Sequence, residues 1–144
     1  MVQPTVMLAD DEAPFVDAMT KRLSKRNLRI LSAHSGHEAM EKLQPEGTVD
    51  VVILDVKMPG MDGIETLREI KKTYPLVEVI MLTGHATVET GIEGMKLGAF
   101  DYLMKPCDID QLMMKVQEAK SRKDQHQQKI IQARVNKIAL TRGD

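Results

Sequence analysis

The chain reads as an α/β protein, with five parallel strands in a doubly wound sheet and helices flanking both faces. Three observations carry that reading. Short apolar runs alternate five times with stretches of helical period, the pattern of consecutive βα units. The third run, Val51-Val52-Ile53-Leu54, has no polar interruption, as expected of a central strand covered on both sides. The links between elements are short, which favours neighbouring parallel strands joined by helical crossovers.

The first strand is expected around Thr5–Ala9, followed by a helix from about Pro14 to Ser24. Phe15, Ala18, Met19 and Leu23 give that helix one apolar face, and Pro14 suits a first turn. A short strand near Arg29–Ser32 leads into a second helix, where Ser35 and Glu38 have capping-box spacing. It presents Ala39, Met40 and Leu43 and stops before Pro45. The third strand spans Val49–Leu54 with Asp50 inside it, and the run Met58-Pro59-Gly60-Met61-Asp62-Gly63 makes a long turn. Ile64, Leu67 and Ile70 mark the third helix, and Val77–Leu82 the fourth strand.

The fourth helix, roughly Val88–Leu97, contains Gly91 and Gly94. Each costs about 0.5–1 kcal/mol relative to alanine, so this helix is expected to be locally weak. Gly98 suits its end. Phe100–Met104 is the fifth strand, and the last helix starts near Asp108 with Ile109, Leu112, Met113 and Val116 inward. From Ala119 onward the composition turns to Lys, Arg, Gln and Asn. Ile131, Val135 and Ile138 keep helical spacing there, while Lys123 to Gln128 interrupts the apolar seam. This tail is expected to extend the last helix, frayed or packed on a partner.

A length of 144 residues suits one domain with a sizeable core. The net charge of −1 points to neither nucleic acid nor a membrane surface, but it hides an asymmetry: −6 over residues 1–118 and +5 over residues 119–144. A single cysteine, Cys107, excludes an internal disulfide and fits a reducing compartment. No signal-peptide pattern opens the chain, and no apolar run approaches the ~20 residues of a membrane helix. A soluble, cytoplasmic protein with no membrane partner is expected.

The strand ends carry the chemistry. Asp10-Asp11-Glu12 follows the first strand, Asp55 the third, Thr83-Gly84 the fourth and Lys105-Pro106 the fifth. In an open α/β sheet, ligands bind at the carboxyl ends of the strands. A carboxylate there can attack a phosphoryl group and form an acyl phosphate. Asp10, Asp11 and Asp55 in one crevice repel one another and call for a divalent cation, for which hard oxygen ligands indicate Mg²⁺. A lysine ammonium and a threonine hydroxyl can then pair with phosphoryl oxygens. Any one of these residues could merely cap a turn or helix, but the set in order points to a phosphoryl-accepting switch.

Over roughly residues 5–118 the chain resembles the receiver domain of two-component response regulators. Asp10-Asp11 resembles the family's acidic pair, and Asp55 with the run Met58–Gly63 its phosphoacceptor and following loop. Thr83-Gly84-His85-Ala86 resembles the switch-hydroxyl segment, and Asp101-Tyr102-Leu103-Met104-Lys105-Pro106 the segment ending in the family lysine. The resemblance implies a flavodoxin-like strand order 2-1-3-4-5, a receiver over residues 1–118 and a basic helical extension or linker over 119–144. It implies Asp55 as phosphoacceptor, and Asp11, Asp55 and the Lys57 carbonyl as Mg²⁺ ligands, with Asp10 acting through a water of the ion. Lys105 would bind the phosphoryl group beside a cis Lys105–Pro106 peptide, Thr83 would move toward it, and Tyr102 would swing into the space left. Lys57 and His85 would flank the attacking water and tune the phosphoryl lifetime.

As partners the resemblance implies a histidine kinase or phosphotransfer protein, then a downstream protein on the face of the fourth helix, fifth strand and fifth helix. A phosphorylation-dependent homodimer through that face belongs to the same implication. The protein would be a switch that phosphorylates and dephosphorylates itself, not an enzyme. A stand-alone receiver is expected, with a receiver fragment of a multidomain transcriptional regulator as the alternative. The tail is too short for a winged-helix domain, so DNA binding is not expected of this chain alone. An Asp-nucleophile phosphohydrolase is disfavoured, because haloacid dehalogenase relatives place Asp-x-Asp after the first strand and need a cap. His34 and His37 read as solvated rather than as a metal pair.

Overall fold

The computed structural model describes residues 3–43 and 48–142. Elements alternate as β1 (Thr5–Ala9), α1 (Ala13–Ser24), β2 (Arg29–Ala33), α2 (Gly36–Leu43), β3 (Val51–Leu54), α3 (Gly63–Thr73), β4 (Glu78–Thr83), α4 (Val88–Lys96), β5 (Asp101–Met104) and α5 (Ile109–Arg142). The strands form one parallel sheet in the order β2-β1-β3-β4-β5. This is the doubly wound architecture and strand order expected above.

Successive side chains of each strand enter opposite cores, as the period of two requires. Met7, Ala9, Val52, Leu54, Val79 and Met81 pack with Ala39 and Leu43 of α2 and with Ile64, Leu67 and Ile70 of α3. Val6, Leu8, Val51, Ile53, Ile80 and Leu82 pack with Val16, Met19 and Leu23 of α1 and Leu112, Val116 and Ala119 of α5. Each large aliphatic side chain buried this way contributes about 1.5–3 kcal/mol. The resulting register sets Ala9 opposite Leu54 and Thr83 opposite Met104. One residue further on, Asp10 and Asp55 therefore leave the sheet from neighbouring strand ends, and Lys105 leaves the same edge two strands beyond Asp55.

Several local readings need correction. In α1 the buried stripe is Val16, Met19 and Leu23, with Phe15 half-buried and Ala18 exposed. Spacings of three and four place Val16 rather than Ala18 under the stripe. The Ser35–Glu38 box is half formed. Ser35 Oγ accepts from the Glu38 N–H at 3.1 Å, but the Glu38 carboxylate accepts from the His34 N–H and pairs with Lys42. Pro45 lies outside the described residues. β3 spans Val51–Leu54, and Asp50 just before it bonds Thr5 O through its N–H at 2.8 Å and accepts from the Thr5 N–H through Oδ2 at 2.8 Å. β5 begins at Asp101.

The glycines of α4 face the fifth strand without being required by its packing, since a Cβ at either would make only an ordinary contact. The Tyr102 ring lies against Gly91 and Gly94, where added Cβ atoms would sit 3.7–3.8 Å from it. A capping box between Thr87 and Thr90 fixes the start of the helix, and Gly98 ends it at φ +102°.

Helix α5 runs unbroken for 34 residues, about 51 Å. Its middle is tied to the amino edge of the sheet. Lys123 Nζ bonds Asp50 Oδ1 at 2.8 Å, and both residues are buried. Arg122 contacts Glu78 and stacks over Phe100, and Lys71 reaches Glu78 from α3 at 3.3 Å. The polar interruption expected at Lys123–Gln128 thus begins with a residue packed on the body. From Asp124 to Thr141 the helix is exposed, with Ile131, Val135 and Ile138 along one stripe.

Candidate functional site

The carboxyl edge of the sheet gathers the acids. The Asp10 N–H donates to Ala33 O and the Asp55 N–H to Ala9 O, each at 3.0 Å, so both aspartates continue the ladder one step beyond the strands. Oxygens of Asp10, Asp11 and Asp55 lie within 4.8 Å of one another. The Lys105 N–H donates to Thr83 O at 2.9 Å, and the Lys105–Pro106 peptide is cis. The Lys105 ammonium reaches Asp10 Oδ2 at 2.7 Å, Glu12 Oε1 at 3.2 Å and Asp55 Oδ2 at 3.8 Å. Gly63 allows the α3 turn to press on this edge, since a Cβ there would collide with the Asp55 carbonyl and Val56 backbone.

The charge balance is unfavourable without a further cation. Burial raises the Asp10 carboxyl above its usual range; the Lys105 and Glu12 hydrogen bonds oppose that rise, and the nearby Asp55 charge adds to it. Burial alone would lower the Lys105 ammonium, but its bond to Asp10 and the charges of Asp10 and Asp55 outweigh that and hold it above normal. Asp55 Oδ1 is buried with no hydrogen-bond partner, a state costing about 1–3 kcal/mol. An all-oxygen donor set with one orphaned carboxylate oxygen fits a hard divalent ion such as Mg²⁺.

Above the acids lies an open recess of about 370 Å³ lined by Asp11, Glu12, Asp55, Lys57, Met58, Pro59 and His85. Lys57 and His85 are both exposed at its rim. Thr83 is fully buried at the end of β4, and its Oγ1 accepts from the His85 N–H at 3.0 Å. Tyr102 is placed elsewhere, its hydroxyl 2.5 Å from Thr90 Oγ1 and its ring on α4. Glu12, Phe15 and Thr90 were not singled out from the sequence. Glu12 follows directly on the acidic pair, which was the one available hint; Phe15 and Thr90 read only as helix residues.

A five-stranded parallel sheet in this order, with an acidic cluster and a lysine at its carboxyl edge, defines the receiver class of signalling proteins. The family model described as response regulator receiver domain matches residues 6–117, and the chain belongs to that family. It is 38% identical over 117 residues to the transcriptional regulatory protein ZraR of Klebsiella oxytoca, a match covering 81% of this chain and 26% of the relative. It is 34% identical over 128 residues to the DNA-binding transcriptional regulator NtrC of Escherichia coli (strain K12), covering 89% of this chain and 27% of the relative. The chain therefore spans about a quarter of the length of these curated relatives. A response regulator receiver domain protein from Clostridium thermocellum has the same fold at a TM-score of 0.80 and 36% identity, covering 84% of this chain and 97% of that one. A CheY-like receiver domain protein from Methanospirillum hungatei JF-1 gives 0.81 and 26%, covering 87% and 99%.

Proposed function

We propose that this chain is a phosphoryl-accepting switch with Asp55 as the acceptor. The observation that carries the reading is the meeting of Asp10, Asp11 and Asp55 oxygens within 4.8 Å, beside the Lys105 ammonium 3.8 Å from Asp55. In the transfer an Asp55 oxygen bonds to phosphorus while the P–N bond of a phosphohistidine breaks. The imidazole of the histidine kinase or phosphotransfer protein keeps the electron pair and takes up a proton. Asp11, Asp55 and the Lys57 carbonyl would hold Mg²⁺, with Asp10 acting mainly through a water of the ion. Such an ion would supply the charge neutralisation under which an anionic acceptor and an anionic donor can meet.

Lys105 and the Thr83 hydroxyl then hold phosphoryl oxygens. Tyr102 follows Thr83 inward, and the α4-β5-α5 face changes for a downstream protein or a second copy. The exposure of Ile92, Met95, Met104 and Met114 on those three elements supports an adaptable docking face. Lys57 and His85 set the lifetime of the acyl phosphate. Residues 1–118 form the receiver proper and 119–144 a basic extension, in a cytoplasmic protein that acts on no diffusible substrate beyond its phosphodonor. No helix among the described residues is long and apolar enough to cross a membrane. The site assignment is tested by reducing the labelled protein with borohydride, which converts an aspartyl phosphate to homoserine. Homoserine at position 55 supports the reading, and homoserine elsewhere or nowhere refutes it.

A second reading, a receiver segment of a larger DNA-binding regulator, is favoured by the quarter-length match to the relatives. Immunodetection in the source cells separates the two. A species near 16.2 kDa supports the stand-alone switch, and one of about three times that mass supports the regulator.

A further inference from the structure

The Lys105 ammonium has three N–H donors, and each has an anion nearby. Asp10 Oδ2 accepts at 2.7 Å and Glu12 Oε1 at 3.2 Å, while Asp55 Oδ2 stands at 3.8 Å. The Phe15 ring closes another side, its centroid 3.9 Å from Nζ. Glu12 and Phe15 both come from the start of α1. Glu12 occupies the N-cap position, yet its side chain caps nothing. Phe15 is only half-buried, beside the Val16 and Met19 that carry the core contact of that turn.

We propose that Glu12 is an exchangeable anion of this site. It occupies on Lys105 the donor that a phosphoryl oxygen takes over once Asp55 is phosphorylated, while Phe15 holds the ammonium in place. The proposal rests on the reading of Asp55 as phosphoacceptor. Of the three anions, Glu12 is the one to leave. Asp10 is 1% exposed and makes the shortest bond, whereas the Glu12 side chain is 57% exposed and regains water on release. Glu12 also lines the recess beside Asp55, where an incoming phosphoryl group must pass. Glu12 and Phe15 are therefore positioning residues that act through Lys105 and set how readily the site is charged.

Two variants separate reach from charge. Glu12→Gln removes the anion. Glu12→Asp keeps it, but is one methylene shorter and is drawn to cap α1. With Mg²⁺ and acetyl phosphate, both variants are expected to gain phosphoryl about two- to fivefold faster than the unaltered chain, the range of a half-exposed ion pair. Acceleration by Glu12→Gln alone would show that the charge merely repels the donor, and equal rates in all three would show no exchange; either overturns the proposal. An amine NMR spectrum of ¹⁵N-lysine-labelled protein without phosphodonor reads the cradle directly. The Lys105 amine is expected to be slowed in exchange and ring-current shifted, with the shift lost in Phe15→Leu. An unshifted amine overturns the proposal whatever the rates. A shifted amine in a protein that takes no phosphoryl overturns the Asp55 reading instead, and the exchange with it.

Discussion

Replacing Lys123 with methionine isolates the tie between α5 and the sheet. Methionine keeps most of the lysine stem, so packing changes little and the ammonium alone is lost. Its partner Asp50 is 8% exposed and bonded at 2.8 Å. Removing one partner of a buried pair costs about 3–5 kcal/mol, because the other charge is left uncompensated. Here Asp50 keeps the Thr5 N–H at 2.8 Å, and the Lys120 ammonium stands 3.8 Å away, able to close in. The expected loss is therefore at or below the low end, about 2–3 kcal/mol. For a chain of 144 residues that lowers Tm by roughly 6–10 °C. The assay is urea unfolding followed by circular dichroism, with Asp50→Asn/Lys123→Met as the control. The double variant has no stranded carboxylate and should recover about half of the loss. A single variant within about 0.5 kcal/mol of the unaltered chain, or a double variant no better than the single, would refute the argument.

Three other outcomes follow from the geometry. Asp10 binds a proton more readily folded than unfolded, so metal-free stability should fall as pH climbs from 3.8 through its raised value; Asp10→Asn should flatten that part of the curve, be more stable in chelator near pH 7, and lose the calorimetric heat of Mg²⁺ binding. Gly63→Ala places a methyl group against the Asp55 carbonyl and should cost about 1–3 kcal/mol by urea midpoint while weakening Mg²⁺ binding. Thr90→Ala removes both its part of the α4 capping box and the Tyr102 partner, and should cost about 1–2 kcal/mol in thermal melts, whereas Tyr102→Phe should cost about 0.5–1.5 kcal/mol.

The sheet was legible because runs such as Val51–Leu54 are apolar on both faces, a pattern with few competing explanations. The acidic cluster was legible for a related reason: parallel strands must end on the same side, so Asp10, Asp55 and Lys105 could be assigned to one edge without coordinates. Long-range polar pairing was hidden. Nothing local in Asp50 or Lys123 announces that they are bonded across 73 residues, and the helical period made Lys123 look like part of a solvated stretch. The neighbour of Gly91 and Gly94 was hidden in the same way. Propensity marks them as weak points of the helix, but it does not show that the Tyr102 ring of β5 lies beside them. Glu12 read as a third acid beside a pair, because its bond to Lys105 requires knowing that the Lys105 side chain reaches from the fifth strand end to the start of α1.

The central claim is best tested by time-resolved intact mass after mixing the protein with Mg²⁺ and acetyl phosphate, alongside Asp55→Asn. A single phosphoryl adduct on the unaltered chain, absent from Asp55→Asn and absent when Mg²⁺ is chelated, is the predicted result. An adduct that persists in Asp55→Asn, or none at any time point on the unaltered chain, would contradict the account.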